Sequence, residues 1–299
     1  MTNNTTSNTT NNTTWLERNW WIIVILLLLC VVLFIAIRQC NANNNKNNFS
    51  PQQNDSIQQN NKDSLTDYVV DVLTLAEPLH NNEANIIRHK AYSLSYNEQH
   101  EQANWVAYML TGEQVKYEAT DRHKGKFMPD PKVPTGSATH EDYTKSGYDR
   151  GHLLPAEDMD HGEVEMVETF YCSNISPQTP QLNRGQWQKL EKQVRNWAIQ
   201  HDTIWVVTGP ILTDEITHFI GRTNKVSVPK RFYKIILFRK NAHNYSAYAF
   251  LIPNTQIESY KNYNVSIDEI EEAAQIDFYP TLPDEIETVV EQSVNTHFY

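Results

Sequence analysis

Apolar and polar residues follow different periods along this chain, and each period predicts a different element. The first is an unbroken apolar run, Trp20 to Ile37, reading WWIIVILLLLCVVLFIAI. At a rise of ~1.5 Å per residue a helix over this run reaches ~27 Å, close to the thickness of a hydrocarbon core. Trp20 and Trp21 stand where an interfacial aromatic belt would, and Arg38 closes the far end. A cleaved signal peptide is the competing reading, but its apolar stretch is ~7–15 residues and precedes a small-x-small site. Here the run is longer and continues into Ala36-Ile-Arg-Gln-Cys40. The pattern therefore predicts an uncleaved transmembrane helix over 20–38. Residues 1–19 are Asn/Thr-rich and 39–62 Asn/Gln-rich, with no apolar period able to bury a core. They are predicted to be a disordered tail and a flexible linker.

Periodic signals resume in residues 63–299. Trp105–Leu110 reads as a strand, and so do Thr203–Thr208, ending at Gly209-Pro210, Phe232–Phe238 and Tyr245–Leu251. Between the first two lies a helical stripe over Gly185–His201, with Trp187, Leu190, Val194, Trp197 and Ala198 on one face. Ser266 precedes Ile267-Asp-Glu-Ile-Glu-Glu and predicts an N-cap with acids in the first turn. Lys116–Gly147 carries turn and charge signals and predicts a long irregular stretch. Strands and helices without βαβ regularity indicate an α+β fold.

The formal net charge of -11 sits badly with a polyanionic ligand, because phosphate binding rewards Lys and Arg. Its distribution changes the picture. From Val115 to Lys240 there are 18 Lys+Arg against 16 Asp+Glu, a net of +2, so the acid is peripheral. Charge alone leaves the partner open. Three cysteines (Cys30, Cys40, Cys172) form no disulfide framework, and Cys172 is predicted to be a small buried side chain.

Candidate chemistry centres on Asp149-Arg150-Gly151-His152. A neutral imidazole takes a proton from water near pH 7, and Arg150 offers a planar fork suited to phosphate oxygens. Taken by itself such a string is also compatible with an ordinary surface or core histidine. Asn183 falls just ahead of the helical stripe, where an N-cap is the simpler reading. Glu191 lies about two turns further on, ~12 Å along a helix axis. Magnesium tolerates that separation, because it keeps several waters and uses only one or two protein oxygens. Glu191 as an i,i+4 partner of Arg195 is the alternative. Trp187 and Trp197 could stack on bases, but their place on the apolar stripe assigns them to the core. His123, His140 and His161 have no metal-ligand spacing and read as surface residues.

Together these segments carry a resemblance. Trp105-Val-Ala-Tyr108, Asp149-Arg150-Gly151-His152-Leu153, Asn174-Ile-Ser-Pro-Gln178, Leu182-Asn183-x-Gly185-x-Trp187 and Leu190-Glu191 resemble, in order and spacing, the signature of the DNA/RNA non-specific endonucleases, the ββα-metal nucleases. Further matches are Val207-Thr208-Gly209-Pro210, Val228-Pro229-x-x-Phe232-Tyr233-Lys234, Ile267-x-x-Ile270-Glu271 and Asp277-Phe278, so the resemblance covers roughly residues 104–282.

The resemblance implies a ββα-metal nuclease fold, with a central antiparallel sheet flanked by helices, over 63–299. It implies His152 as general base, Asn183 as the direct ligand of Mg²⁺ (with Mn²⁺ as a substitute) and Glu191 as a ligand acting through water. Arg150 and Arg122 would steady the phosphate, with Lys124 or Lys126 as alternatives to Arg122, and Asn174 would support the site by hydrogen bonds. DNA and RNA are the implied substrates, gripped through phosphates and cut to 5′-phosphate products; a catalytically idle nucleic-acid-binding or scaffold protein is the alternative. A non-specific nuclease in the cytosol would attack its own genome. The domain is therefore expected outside the cytoplasm, tethered to the bilayer through residues 20–37; no protein partner is inferable.

Overall fold

The structure, a computed structural model, describes residues 76–78, 85–117, 125–241, 244–280 and 282–298. The expected tail, transmembrane helix and linker, together with Arg122, His123 and Lys124, lie outside the described residues. Among the described residues no helix is long and apolar enough to cross a membrane.

The strands are β1 Ala76–Pro78, β2 Asn85–Arg88, β3 Tyr92–Asn97, β4 Gln102–Thr111, β5 Asp149–His152, β6 Ile175–Gln178, β7 Thr203–Pro210, β8 Phe219–Ile220, β9 Val226–Ser227, β10 Arg231–Asn241, β11 Asn244–Pro253 and β12 Ile276–Phe278. The helices are α1 Gly112–Lys116, α2 His140–Tyr143, α3 Glu163–Glu168, α4 Gln188–His201, α5 Ile267–Ala274 and α6 Asp284–Gln292. Six strands form one antiparallel sheet in the order β11-β10-β7-β4-β3-β2. The predicted strands at 105–110, 203–208, 232–238 and 245–251 are its four contiguous members β4, β7, β10 and β11. The α+β class follows: an antiparallel sheet with helices on both faces.

Alternation along these strands sends odd and even positions to opposite faces. Val106, Tyr108, Ile204, Val206, Phe232, Ile236, Phe250 and Ile252 pack on the face covered by α4, which contributes Leu190, Val194, Trp197 and Ala198. Trp105, Ala107, Trp205, Val207, Ile235, Leu237 and Ala249 pack on the face covered by Ile267, Ile270 and Ala274 of α5 and Val290 of α6. Buried on both faces, β7 reads TIWVVTGP with little polar alternation. Trp187 and Trp197 are fully buried, and Trp197 stacks on Tyr248 with ring centroids 4.2 Å apart. Cys172 is buried too. Ser266 caps α5, accepting a hydrogen bond from the Glu269 backbone N–H at 3.1 Å.

The helix predicted from Gly185 differs in its first turn. Regular α geometry starts at Gln188; Leu182–Trp187 is a π-helical segment in which Gly185 leaves helical φ/ψ. Asn183 therefore lies inside a widened turn and is not an N-cap. From this turn the Asn183 side chain reaches Asp149 of the motif at 149–152.

Candidate active site

Two short polar strands carry the motifs and pair with each other. β5 and β6 are antiparallel, with Asp149 opposite Gln178, Gly151 opposite Ser176 and His152 opposite Ile175. Gly151 is required by this contact, since a Cβ there would fall 2.4 Å from the Gln178 side chain. Arg150 and His152, two apart on a strand, share a face. His152 is 9% exposed, with Phe170 edge-on at 5.0 Å and Phe127 at 5.4 Å.

Asn174 clamps the chain that follows His152. Its backbone carbonyl accepts from the Leu153 N–H at 3.0 Å, and its side-chain oxygen from the Leu154 N–H at 2.9 Å. Its Nδ2 donates to the carbonyls of Leu154 and Thr169 at 2.9 and 2.8 Å. Asn174 is fully buried and acts as a bolt behind the imidazole. Arg150 is fixed by a different device: Nη2 donates to the His140 carbonyl and to Thr144 Oγ1, both at 2.9 Å, and the guanidinium lies 5.5 Å over the Phe127 ring. His140 itself is exposed, as expected, and His161 is half-buried.

Asn183 reaches back across 34 residues to donate from Nδ2 to Asp149 Oδ2 at 3.0 Å. An ionised carboxylate only accepts, so Nδ2 must be the atom facing Asp149, and Oδ1 is left for the cavity that Asn183 lines. Asp149 is in turn gripped by both arms of Arg184, at 2.8 and 2.6 Å. Burial works against ionisation of Asp149, but hydrogen bonds from Arg184 and Asn183 outweigh it and hold the carboxyl below its ordinary range.

Glu191 faces the same space. Arg195, the i,i+4 partner in the alternative reading, turns instead to Asp158 at 2.9 Å and Glu157 at 2.7 Å. Among the described residues nothing donates a hydrogen bond to the Glu191 carboxylate. Burial pushes it up to about 8; the Lys234 ammonium opposes that rise and Asp158 adds to it. His152, Arg150, Asn183 and Glu191 thus line one cavity of about 170 Å³, with Phe127, Arg184 and Gln188 at its walls. An amide oxygen and a carboxylate form a hard, oxygen-only donor set that fits a divalent cation such as Mg²⁺.

Asp149, Phe127 and Lys234 belong to this site or its foundation although sequence reasoning gave them no role. Asp149 stood in the quoted motif, unassigned. Lys234 left a signal of its own: a lysine inside the apolar strand RFYKIILF.

The sequence profile of the DNA/RNA non-specific endonuclease family matches residues 73–285. A mitochondrial nuclease EXOG from Danio rerio is 37% identical over 204 residues, covering 63% of this chain and 59% of that protein. The fungal nuclease C1 of Cunninghamella echinulata var. echinulata is 33% identical over 212 residues, covering 66% of this chain and 84% of its own length. The chain thus spans about six tenths of the mitochondrial relatives it matches. In three dimensions a chain of the EndoG/EndoGI complex superimposes with a TM-score of 0.64 at 30% identity, covering 69% of this chain and 90% of the other. On the match across residues 73–285 this chain belongs to the DNA/RNA non-specific endonuclease family.

Proposed function

We propose that this protein is an endonuclease that hydrolyses internal phosphodiester bonds of both DNA and RNA. The observation that carries this reading is the shared cavity: His152, Arg150, Asn183 and Glu191 come from a strand, a π-helical turn and a helix, yet line one space. His152 takes a proton from the incoming water, a task suited to an imidazole near neutral pH. Arg150, already braced on its outer side by His140 and Thr144, meets the phosphate with its remaining donors. Asn183 Oδ1 would hold Mg²⁺ directly and the Glu191 carboxylate would hold it through water, with Mn²⁺ as a substitute. When bound, the cation neutralises charge building on the phosphate and on the departing 3′ oxygen. The products carry a 5′-phosphate. Indifference to sugar and base follows because phosphate contacts position a strand without reading it. Arg122 is the second phosphate contact in this proposal.

The run from Trp20 to Ile37 anchors the enzyme in a bilayer and the nuclease domain works outside the cytoplasm. Support comes from the length and apolarity of that run and from the damage a cytosolic non-specific nuclease would do. Surface proteolysis of intact cells checks the placement: loss of the domain is expected, and full protection overturns it.

The activity is tested on the detergent-solubilised full chain with supercoiled plasmid and with RNA, each with and without Mg²⁺. Cation-dependent cleavage of both is expected, abolished by Asn183→Ala. Binding without cleavage would sink the enzyme and favour an idle nucleic-acid-binding protein on the same fold.

A further inference from the structure

Lys234 is the only buried lysine or arginine among the described residues. It lies on β10 between Phe232 and Ile236, on a face otherwise given to apolar packing, and opposite Thr208 and Phe250 of the flanking strands. A hydrophobic residue of similar volume is the simpler choice at such a place, and swaps of that kind are often neutral or stabilising. A retained charge therefore asks for a reason.

Its contacts supply one. Nζ donates to the Leu153 carbonyl at 3.2 Å, and Leu153 directly follows His152. The ammonium also sits 4.9 Å over the Trp187 ring, one helical turn before Glu191. Burial disfavours its charge, Glu191 and Asp158 favour it, and Arg195, which donates to Asp158 at 2.9 Å, opposes it. Asp158 is already held by Arg195 and by the Tyr108 hydroxyl at 2.9 Å. Among the described residues Glu191 has no such hydrogen-bonded partner, and the Lys234 charge favours its ionised form. Lys234 does not line the cavity and cannot touch a substrate phosphate.

We propose that Lys234 is a positioning residue for phosphodiester hydrolysis: its ammonium, bonded to the Leu153 carbonyl and seated over the Trp187 ring, fixes the backbone behind His152 relative to the helix that carries Glu191. The inference rests on the nuclease reading above. It separates two properties that a general loss of packing would move together. Removing the ammonium lowers turnover and weakens the cation, yet leaves the grip on nucleic acid unchanged.

The test compares the full chain with Lys234→Met, Glu191→Gln and the double variant. For Lys234→Met, kcat on plasmid at saturating Mg²⁺ is expected to fall ~10- to 100-fold, the usual scale for losing support behind a metal site. KM for DNA stays within about threefold, and calorimetric Mn²⁺ binding weakens by about tenfold. Because Lys234 acts partly through Glu191, the double variant loses at least about tenfold less than the product of the two single losses. It also melts above Lys234→Met alone, since the uncompensated carboxylate is gone. Wild-type kcat in Lys234→Met, a change confined to KM, or multiplicative losses in the double variant would each overturn the proposal. Should Lys234→Met fail to fold, the double variant decides: Mn²⁺ binding equal to that of Glu191→Gln supports it, and a further tenfold weakening overturns it. If the wild type cleaves nothing, the nuclease reading fails, while the Mn²⁺ and melting comparisons still decide whether Lys234 and Glu191 are coupled.

Discussion

The two faces of the central sheet are equally buried and chemically unlike. On β10, Tyr233, Ile235 and Leu237 point to the face closed by α5 and α6 and join its apolar cluster. One residue along, Phe232, Ile236 and Phe238 point to the other face, but Lys234 stands among them. On β4, Ala107 belongs to the apolar cluster of the first face, whereas Tyr108 on the other donates to the buried carboxylate of Asp158. Burial does not distinguish the faces. What distinguishes them is that one buries a lysine and a carboxylate, Lys234 and Asp158, within its core and has the cavity at its edge, while the other has its acids, Glu271 and Glu291, on the covering helices. The closed face lends no residue to the cavity, and the open face gives up part of its apolar area to hold a site.

The widest separation between the two faces is expected at His152. His152→Ala is expected to lower turnover by at least ~10²-fold, the scale for losing a general base. Cation-dependent plasmid nicking measures it, alongside a melting curve that remains cooperative. A variant that keeps wild-type turnover would mean the open face carries no chemistry.

On the closed face the expected effect has the opposite character. Ile235→Ala leaves a cavity in the α5/α6 layer and is expected to cost about 2–5 kcal/mol in urea unfolding. The kcat of the folded fraction should match that of the parent. A loss of kcat beyond the loss of folded protein would break the division of labour between the faces.

How far this division could be read from the chain depends on how local its causes are. The closed face was legible, because Trp105, Val207 and Ile235 lie in runs whose period and length name a strand, and Ser266 announces its helix within four residues. The stripe Trp187, Leu190, Val194, Trp197 and Ala198 foretold which side of α4 would be buried. The site was legible only as a set of motifs. DRGH and NISPQ are too short and polar to declare themselves strands, and they become β5 and β6 only by pairing with each other. Nothing local predicts that Leu182–Trp187 widens into a π turn, and the simpler reading of Asn183 as an N-cap fails for that reason. The Asp149–Asn183 contact spans 34 residues, beyond any periodic signal. Lys234 was visible as an anomaly in an apolar strand, but its partners come from two other elements.

A smaller effect sharpens the account of the open face. Asp149 is the only described residue that fixes the amide of Asn183, and through it which atom faces the cavity. Asp149→Ala is therefore expected to weaken Mn²⁺ binding about 10- to 100-fold, as losses behind a metal ligand usually do. Calorimetric titration measures it, and unchanged affinity would show that the amide keeps its orientation without help.

The smallest expected effect returns to the closed face and asks whether its parts are purely structural down to their ends. Ser266 accepts one of the orphan N–H groups of α5, and Asp268 and Glu269 place negative charge in the first turn, where the helix dipole favours it. Ser266→Ala removes the hydrogen bond and leaves those charges, so the cost is expected near ~1 kcal/mol, the usual value of an N-cap. α5 touches the sheet through Ile267, Ile270 and Ala274, none of which reaches the cavity residues, so a frayed first turn has no mechanical path to His152 or Asn183. Unfolding in urea should shift by that amount while kcat and Mn²⁺ affinity stay at their parental values. A shift in either of the latter would mean that the sheet transmits strain from one face to the other, and that the closed face takes part in the chemistry after all.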